Sequence, residues 1–282
     1  MGFTMFLLFA LYVVFIGVLI EVFNVGIIFT LAMFGAFSLA QYFFSDKLAL
    51  RSMGAHEVDP DEYPDLHRRV ERLSQQADLP KPTIAVANTR VPNAFATGRN
   101  KKNATVAVTT GLLDSLDADE LDGVLAHELA HVKNRDVMVM TIASFLSTIA
   151  FLIVRWGWLF AGGGNREGGN QAPVFVAIIA SLVVWVFSFL LIRALSRYRE
   201  FAADRGGAAI TGKPSALASA LLKISGKMDS VPNDDLREQA EMNAFFIIPI
   251  KAGTIGRLFS THPSTEKRVD RLRELEREME TQ

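Results

Sequence analysis

The stretch HELAH, residues 127–131, holds three side chains able to act on one atom. His127 and His131 are four apart, so on a helix they share a face about one turn from each other. Two neutral imidazoles in that arrangement can hold a zinc ion at about 2.0–2.1 Å. Glu128, next to the first histidine, can then reach a water activated by the metal and take its proton. A solvated helix with two surface histidines would have the same spacing and no such role. A catalytic zinc needs a third protein ligand and one open position. The chain has five histidines, the remaining three being His56, His67 and His262. Asn134 and Val137 stand where an H-x-x-G-x-x-H extension requires glycine and histidine, so the third ligand points to a carboxylate. His56 and His67 read as surface residues.

The elements around the motif narrow the choice. Four runs, 3–20, 25–44, 137–154 and 173–192, each hold about 18–20 residues without a charge, the length that crosses a bilayer core of about 30 Å. They read as four transmembrane helices in two hairpins, 1–44 and 137–192. A tight turn at Glu21–Asn24 closes the first hairpin, and the glycine-rich outer loop 161–172 closes the second. The first run is not read as a signal peptide, because residues 1–5 carry no positive charge and no small-residue cleavage pattern follows Ile20.

His131 lies six residues before the third run, and Glu200 lies eight residues after the fourth. At 1.5 Å per residue both stand roughly 9–12 Å above one membrane face, although 69 residues separate them. Glu200 is the candidate third ligand; the alternative is an ion pair with Arg193, Arg197 or Arg199 along its own helix. Asp204, one turn further, can accept a hydrogen bond from the far nitrogen of a ligand histidine and fix its tautomer.

Of the 282 residues half are hydrophobic, and the net charge of −1 gives no reason to expect a nucleic-acid partner. With no cysteine there is no disulfide framework, which fits a reducing compartment. Lys47, Arg51, Lys133, Arg135, Arg193, Arg197 and Arg199 flank one side of the runs, against Arg166 on the other, with Arg155 free to snorkel outward. The polar segments 45–136 and 193–282, with both termini, are therefore expected in the cytoplasm, as one domain anchored in the plasma (inner) membrane.

Within that domain, Pro64–Leu79 has the spacing of an amphipathic helix ended by Pro80 and Pro82. Thr83–Asn88, Asn93–Thr97 and Thr105–Thr110 read as strands of a small antiparallel sheet. A capping box from Asp117 to Glu120 opens the motif helix, which is expected to run unbroken into the third span. The helix after the fourth span should end at the glycine pair 206–207, and further helices are expected at Pro214–Ser225 and Thr265–Glu280. The acidic stretch 229–246 has no clear assignment.

HELAHVKNRD, SRYREFAADRGGA, STHPSTEKRV and NAFATGRNKKNATVAVTTGLL together resemble the HtpX-type membrane zinc metalloproteases, gluzincins related to the CAAX prenyl proteases. The resemblance implies a mainly α integral membrane protein with a zincin-like α+β domain. It implies His127, His131 and Glu200 as ligands of one Zn²⁺ per chain, Glu128 as general base and Asp204 as the group orienting a ligand. It also implies a histidine that donates to the developing oxyanion, which makes His262 a candidate; the alternative is that the His–Pro pair caps the last helix. Arg268 can support the site or be a solvated charge. An edge strand beside a zinc helix can bind a peptide by main-chain hydrogen bonds, and the resemblance favours that role for Asn93, Ala94, Phe95, Ala96 and Thr97 over an interior strand.

The expectation that follows is an endopeptidase acting on membrane or membrane-associated proteins from the cytoplasmic side. The resemblance implies quality control of misfolded membrane proteins under stress. A prenyl-protein protease would share the zinc chemistry but needs a chamber built from more than four spans. A silent zinc-binding scaffold would not need a base at Glu128.

Overall fold

The computed structural model describes residues 2–23, 27–162, 172–228, 247 and 262–281. The expected turn at Glu21–Asn24 reaches beyond them at Asn24, as do Thr261, nearly all of the loop 161–172 and the whole of 229–246. The chain divides into two units, one of residues 1–43 and 139–195, the other of residues 44–138 and 196–282.

The first unit is helical. It holds α1 (Gly2–Phe23), most of α2 (Ile27–Ser52), most of α6 (Asp136–Gly162) and the first part of α7 (Ala172–Thr211). Leu8, Tyr12, Phe15, Ala143, Ala150 and Val184 pack together, and the Tyr12 hydroxyl donates to the Ala143 carbonyl at 2.6 Å. Among the described residues one helix, Phe175–Thr211, is long and apolar enough to cross a membrane by length and composition. Gly2–Val18 and Asp136–Phe151 are shorter apolar stretches.

The second unit is a mixed α/β body. Strands β1 (Ala55–Glu57), β2 (Thr83–Ala87), β3 (Ala94–Gly98) and β4 (Ala104–Thr109) form one sheet in the order β1-β2-β4-β3. β1 is antiparallel to β2, and β3 to β4, but β2 and β4 run parallel. The sheet is therefore mixed, not antiparallel as the sequence suggested. The chain leaves β2, skips a strand position to form β3, and turns back at 99–103 to fill the gap with β4. Residue alternation along each strand carries no record of that order of insertion.

The helices packed with this sheet are α3 (Pro64–Gln76), the short α4 (Thr110–Leu113), α5 (Ala118–Asn134), α8 (Pro214–Met228) and α9 (Thr265–Glu280). α3 stops at Gln76, ahead of the prolines, and Asp78 follows at φ +56°. His67 is buried on its inner face with Nε2 3.0 Å from the Val58 carbonyl, so it is not a surface residue, whereas His56 is exposed.

α5 begins at the expected capping box, Asp117 with Glu120. It is fixed from two further directions. Arg69 and Arg72 of α3 both reach Asp122, and Lys223 and Ser219 of α8 each bond Glu120 at 2.6 Å. It does not continue into α6. Arg135 adopts φ +57°, a left-handed conformation that ends a helix, and its N–H bonds back to the His131 and Val132 carbonyls.

α7, by contrast, passes through Gly206 and Gly207 and ends at Thr211. These glycines serve close approach, not termination. A Cβ on Gly207 would lie 2.9 Å from the His127 nitrogen, and one on Gly206 would lie 2.7 Å from the Ala130 Cβ. Gly226 on α8 has nothing within 4 Å. The two sites therefore predict opposite signs. Gly226→Ala should stabilise by about 0.5–1 kcal/mol, since alanine is the better helix former. Gly207→Ala gains the same propensity but meets rigid backbone, and overpacking of about 1–3 kcal/mol outweighs it. Thermal unfolding of both variants beside the parent reads the difference; a Gly207→Ala melt above the parent's would refute the packing argument.

Candidate metal centre

α5 and α7 supply the side chains of the site from facing surfaces. On α7 the residues Glu200, Ala203, Asp204 and Gly207 recur at helical spacing and form one buried or half-buried stripe. As α7 advances from Glu200 to Gly207, its contacts retreat along α5 from His131 to Ala126, so the two helices run antiparallel. The stripe brings Glu200 to the histidine pair.

His127 Nε2 and His131 Nε2 lie 3.2 Å apart. Glu200 Oε2 is 3.7 Å from the first and Oε1 is 3.6 Å from the second. Each Glu200 oxygen thus faces one histidine, and the three separations are near the about 3.3 Å that donors bound tetrahedrally at about 2.05 Å keep from one another. Among the described residues His127, His131 and Glu200 are the group whose ligand atoms all lie within 4.8 Å of one another.

The outward nitrogens decide the chemistry of the inward ones. His127 Nδ1 is 3.0 Å from Asp204 Oδ1, and His131 Nδ1 is 2.6 Å from Asp136 Oδ2. A ring nitrogen hydrogen-bonded to a carboxylate carries the proton, which leaves the His131 Nε2 as a lone pair, and the charge of Asp204 favours the same tautomer of His127. Two such lone pairs and a carboxylate then face one point with no shared proton among them. Glu200 Oε2 is buried and makes no hydrogen bond of good geometry. A cation satisfies all three groups, so the donor set fits a metal.

The surrounding charges are balanced inside the protein. Arg268 on α9 is 1% exposed. Its Nε and Nη2 donate to the two Asp204 oxygens at 2.9 and 2.7 Å, and Nη1 donates to the Ile247 carbonyl at 2.8 Å. Nη1 also stands 3.3 Å from Glu200 Oε2, and Nη2 is 3.4 Å from His127 Nε2. Burial opposes ionisation of Glu200, yet the neighbouring His262, Arg268 and His131 outweigh it and hold the carboxyl well below the usual carboxylate range. Asp204 is treated the same way: burial raises its pKa, Arg268 and His127 lower it more, and the net shift is downward. Burial by itself would lower the pKa of His131. The hydrogen bond to Asp136 and the charges of Glu200 and Glu128 reverse that, and the net shift is upward.

Glu128 is buried, one residue from His127. His262 places Nδ1 3.3 Å from Glu200 Oε2. It does not cap the last helix, because the Ser264 side chain accepts from the Lys267 N–H and fills that role. β3 stands last in the strand order and packs beside α5. Asn93, just ahead of it, is fully buried, and its Oδ1 accepts from the Ile247 N–H at 3.0 Å. Phe95 and Thr97 are buried and Ala96 is half-buried.

Sequence reasoning left Arg268 between two roles and did not find Asp136. Arg268 had a usable signal, since it lies at i, i+4 and i+7 with Leu272 and Leu275 on the apolar face of its helix. Asp136 had none. On an unbroken helix it would lie about 140° around the axis from His131.

The profile of peptidase family M48 matches residues 60–276. Protease HtpX homolog 2 of Methanosarcina mazei is 57% identical over 282 residues, covering 99% of this chain and 95% of that one. Protease HtpX homolog of Moorella thermoacetica is 56% identical over 284 residues, covering 98% and 93%. Protease HtpX homolog of Pyrococcus furiosus is 45% identical over 257 residues, covering 90% and 87%. Among solved structures, the crystal structure of S. mikatae Ste24p superposes with a TM-score of 0.58 at 17% identity, a likeness of fold. It covers 93% of this chain and 62% of the Ste24p chain. With most of its length matched by the family profile, and near-full-length relatives named as proteases, the chain belongs to peptidase family M48 and is a membrane metalloprotease.

Proposed function

We propose that this chain is a zinc-dependent endopeptidase with His127, His131 and Glu200 as the metal ligands. The two Nε2 atoms 3.2 Å apart, with one Glu200 oxygen 3.7 Å from the first and the other 3.6 Å from the second, carry the reading. Zinc held there supplies Lewis acidity, which polarises a peptide carbonyl and makes a water acidic near neutral pH. Glu128 takes the proton of the attacking water and delivers it to the leaving amine. Asp204 keeps His127 in its ligating tautomer, and Arg268 keeps Asp204 ionised. His262, beside Glu200, donates to the carbonyl oxygen as negative charge develops, an effect of about 2.7–4 kcal/mol where such donors have been removed. Asn93, Ala94, Phe95, Ala96 and Thr97 take up the substrate backbone along the end strand of the sheet.

The four apolar runs are proposed as membrane spans in the plasma (inner) membrane, with both polar segments and both termini in the cytoplasm. On α7, Phe175, Ile179, Val183, Val186, Phe187 and Leu190 are exposed together, a surface that suits lipid and not water. Basic residues gather at the cytoplasmic ends of the runs. The ligands lie six and eight residues from apolar runs, so the substrates are membrane proteins or membrane-proximal segments, misfolded ones among them under stress.

Glu128→Gln should bind about one zinc per chain yet hydrolyse a model membrane protein about 10²–10⁴-fold more slowly; undiminished turnover would remove Glu128 from the base role. Glu200→Ala should leave the purified chain depleted of zinc by metal analysis, and an unchanged content would place the third ligand elsewhere. Cysteines introduced into 161–172 should react with an impermeant reagent on intact cells, whereas protection there would reverse the orientation.

A further inference from the structure

Asp136 and Arg199 have no part in the reading above, yet they close a chain of groups on the back of His131. Asp136 is 2% exposed, with Oδ2 2.6 Å from His131 Nδ1 and Oδ1 2.9 Å from Arg199 Nε. We propose that Asp136, held by Arg199, is a positioning residue for the metal centre: it keeps the His131 proton on Nδ1 and turns the Nε2 lone pair toward His127 and Glu200. The inference rests on the zinc reading above and adds a residue to it.

The backbone is built to make this contact. The chain turns left-handed at Arg135, and α6 starts afresh at Asp136, five residues past His131. Without that corner the carboxylate could not reach back to the ring. The two histidines are also served alike. His127 Nδ1 faces Asp204, which is gripped by Arg268, and His131 Nδ1 faces Asp136, which is paired with Arg199. α7 contributes Arg199, Glu200 and Asp204 within one turn and a half, so one helix sets a ligand and one member of each orienting pair.

The two oxygens of Asp136 give the test its logic. Oδ2 accepts from His131 Nδ1, and Oδ1 faces the Arg199 charge in an ion pair. Asparagine has the same shape but only one oxygen, the other position being an NH2 group. In Asp136→Asn the Arg199 charge draws that oxygen, and the NH2 group faces His131 Nδ1. The ring must then accept at Nδ1, its proton moves to Nε2, and the metal loses that lone pair. Cutting away the guanidinium in the double variant Asp136→Asn/Arg199→Ala frees the amide to turn over and accept from Nδ1.

The measurement is apparent zinc affinity of the full chain in detergent, by chelator competition, for the parent, Asp136→Asn, Arg199→Ala and the double variant, with thermal melts alongside. Asp136→Asn should bind about 10–100-fold more weakly than the parent. The double variant should recover most of that loss, whereas a packing role predicts a further loss when a second side chain is removed. Parent-like affinity of Asp136→Asn overturns the proposal, and so does a double variant no better than Asp136→Asn. Should Asp136→Asn alone not fold, Arg199→Ala and the double variant decide: similar affinities support the proposal, and loss confined to the double overturns it. A parent chain that binds no zinc sinks the metal reading as well, which separates that failure from the failure of Asp136 beside a zinc-binding parent.

Discussion

Two helices approach so closely at Gly206 and Gly207 that neither position has room for a Cβ, and that approach sets the register of the site. Gly207 lies against the His127 main chain, and its helix face carries Asp204 and Glu200 one and two turns earlier. Glu200 meets both imidazoles because of that stacking, and Asp204 meets the reverse side of His127. A separation larger by even a methyl group would draw Glu200 away from imidazoles whose distances to it are now close to what tetrahedral zinc spans.

Close packing creates an electrostatic problem, because Glu128, Asp136, Glu200 and Asp204 are all buried in one small volume. Buried carboxylates persist only when cations and hydrogen bonds compensate them. Arg268 answers most of the demand, contacting Asp204 with two nitrogens and Glu200 with a third. Arg199 answers for Asp136. On the inward face two imidazole nitrogens and Glu200 come together, with Glu200 Oε2 near Arg268 and His262 but without a hydrogen bond. That face is where a metal ion could be held.

The two helices that carry the ligands treat their apolar continuations differently. α7 is one helix from Ala172 to Thr211, and Glu200 lies within it. α5 ends at Asn134, and a left-handed residue separates it from α6. α5 is held instead by Asp117, Asp122 and Glu120 and their partners on α3 and α8. The break also frees the first residue of α6 to face the site.

Much of this was legible in the residues. The histidine pair and its glutamate follow from a period of 3.6, the apolar runs from length, and the capping box from local chemistry, since each is written in neighbours along the chain. Glu200 was singled out by its distance in sequence from an apolar run, and in the structure it stands with the histidine pair. The parallel pairing of β2 with β4 was not legible, as strand order is a matter of which gap is filled last. Nor was the passage of α7 through its two glycines, since Gly-Gly reads as a stop unless a facing helix requires the space. Asp136 and Arg268 belong to the same class: one depends on a single left-handed residue and the other on a helix more than sixty residues away in sequence. The sequence by itself determined which groups could do the chemistry and roughly which elements carried them. Only the tertiary structure decided their partners, because a buried charge is defined by what surrounds it in space and not by what precedes it in the chain.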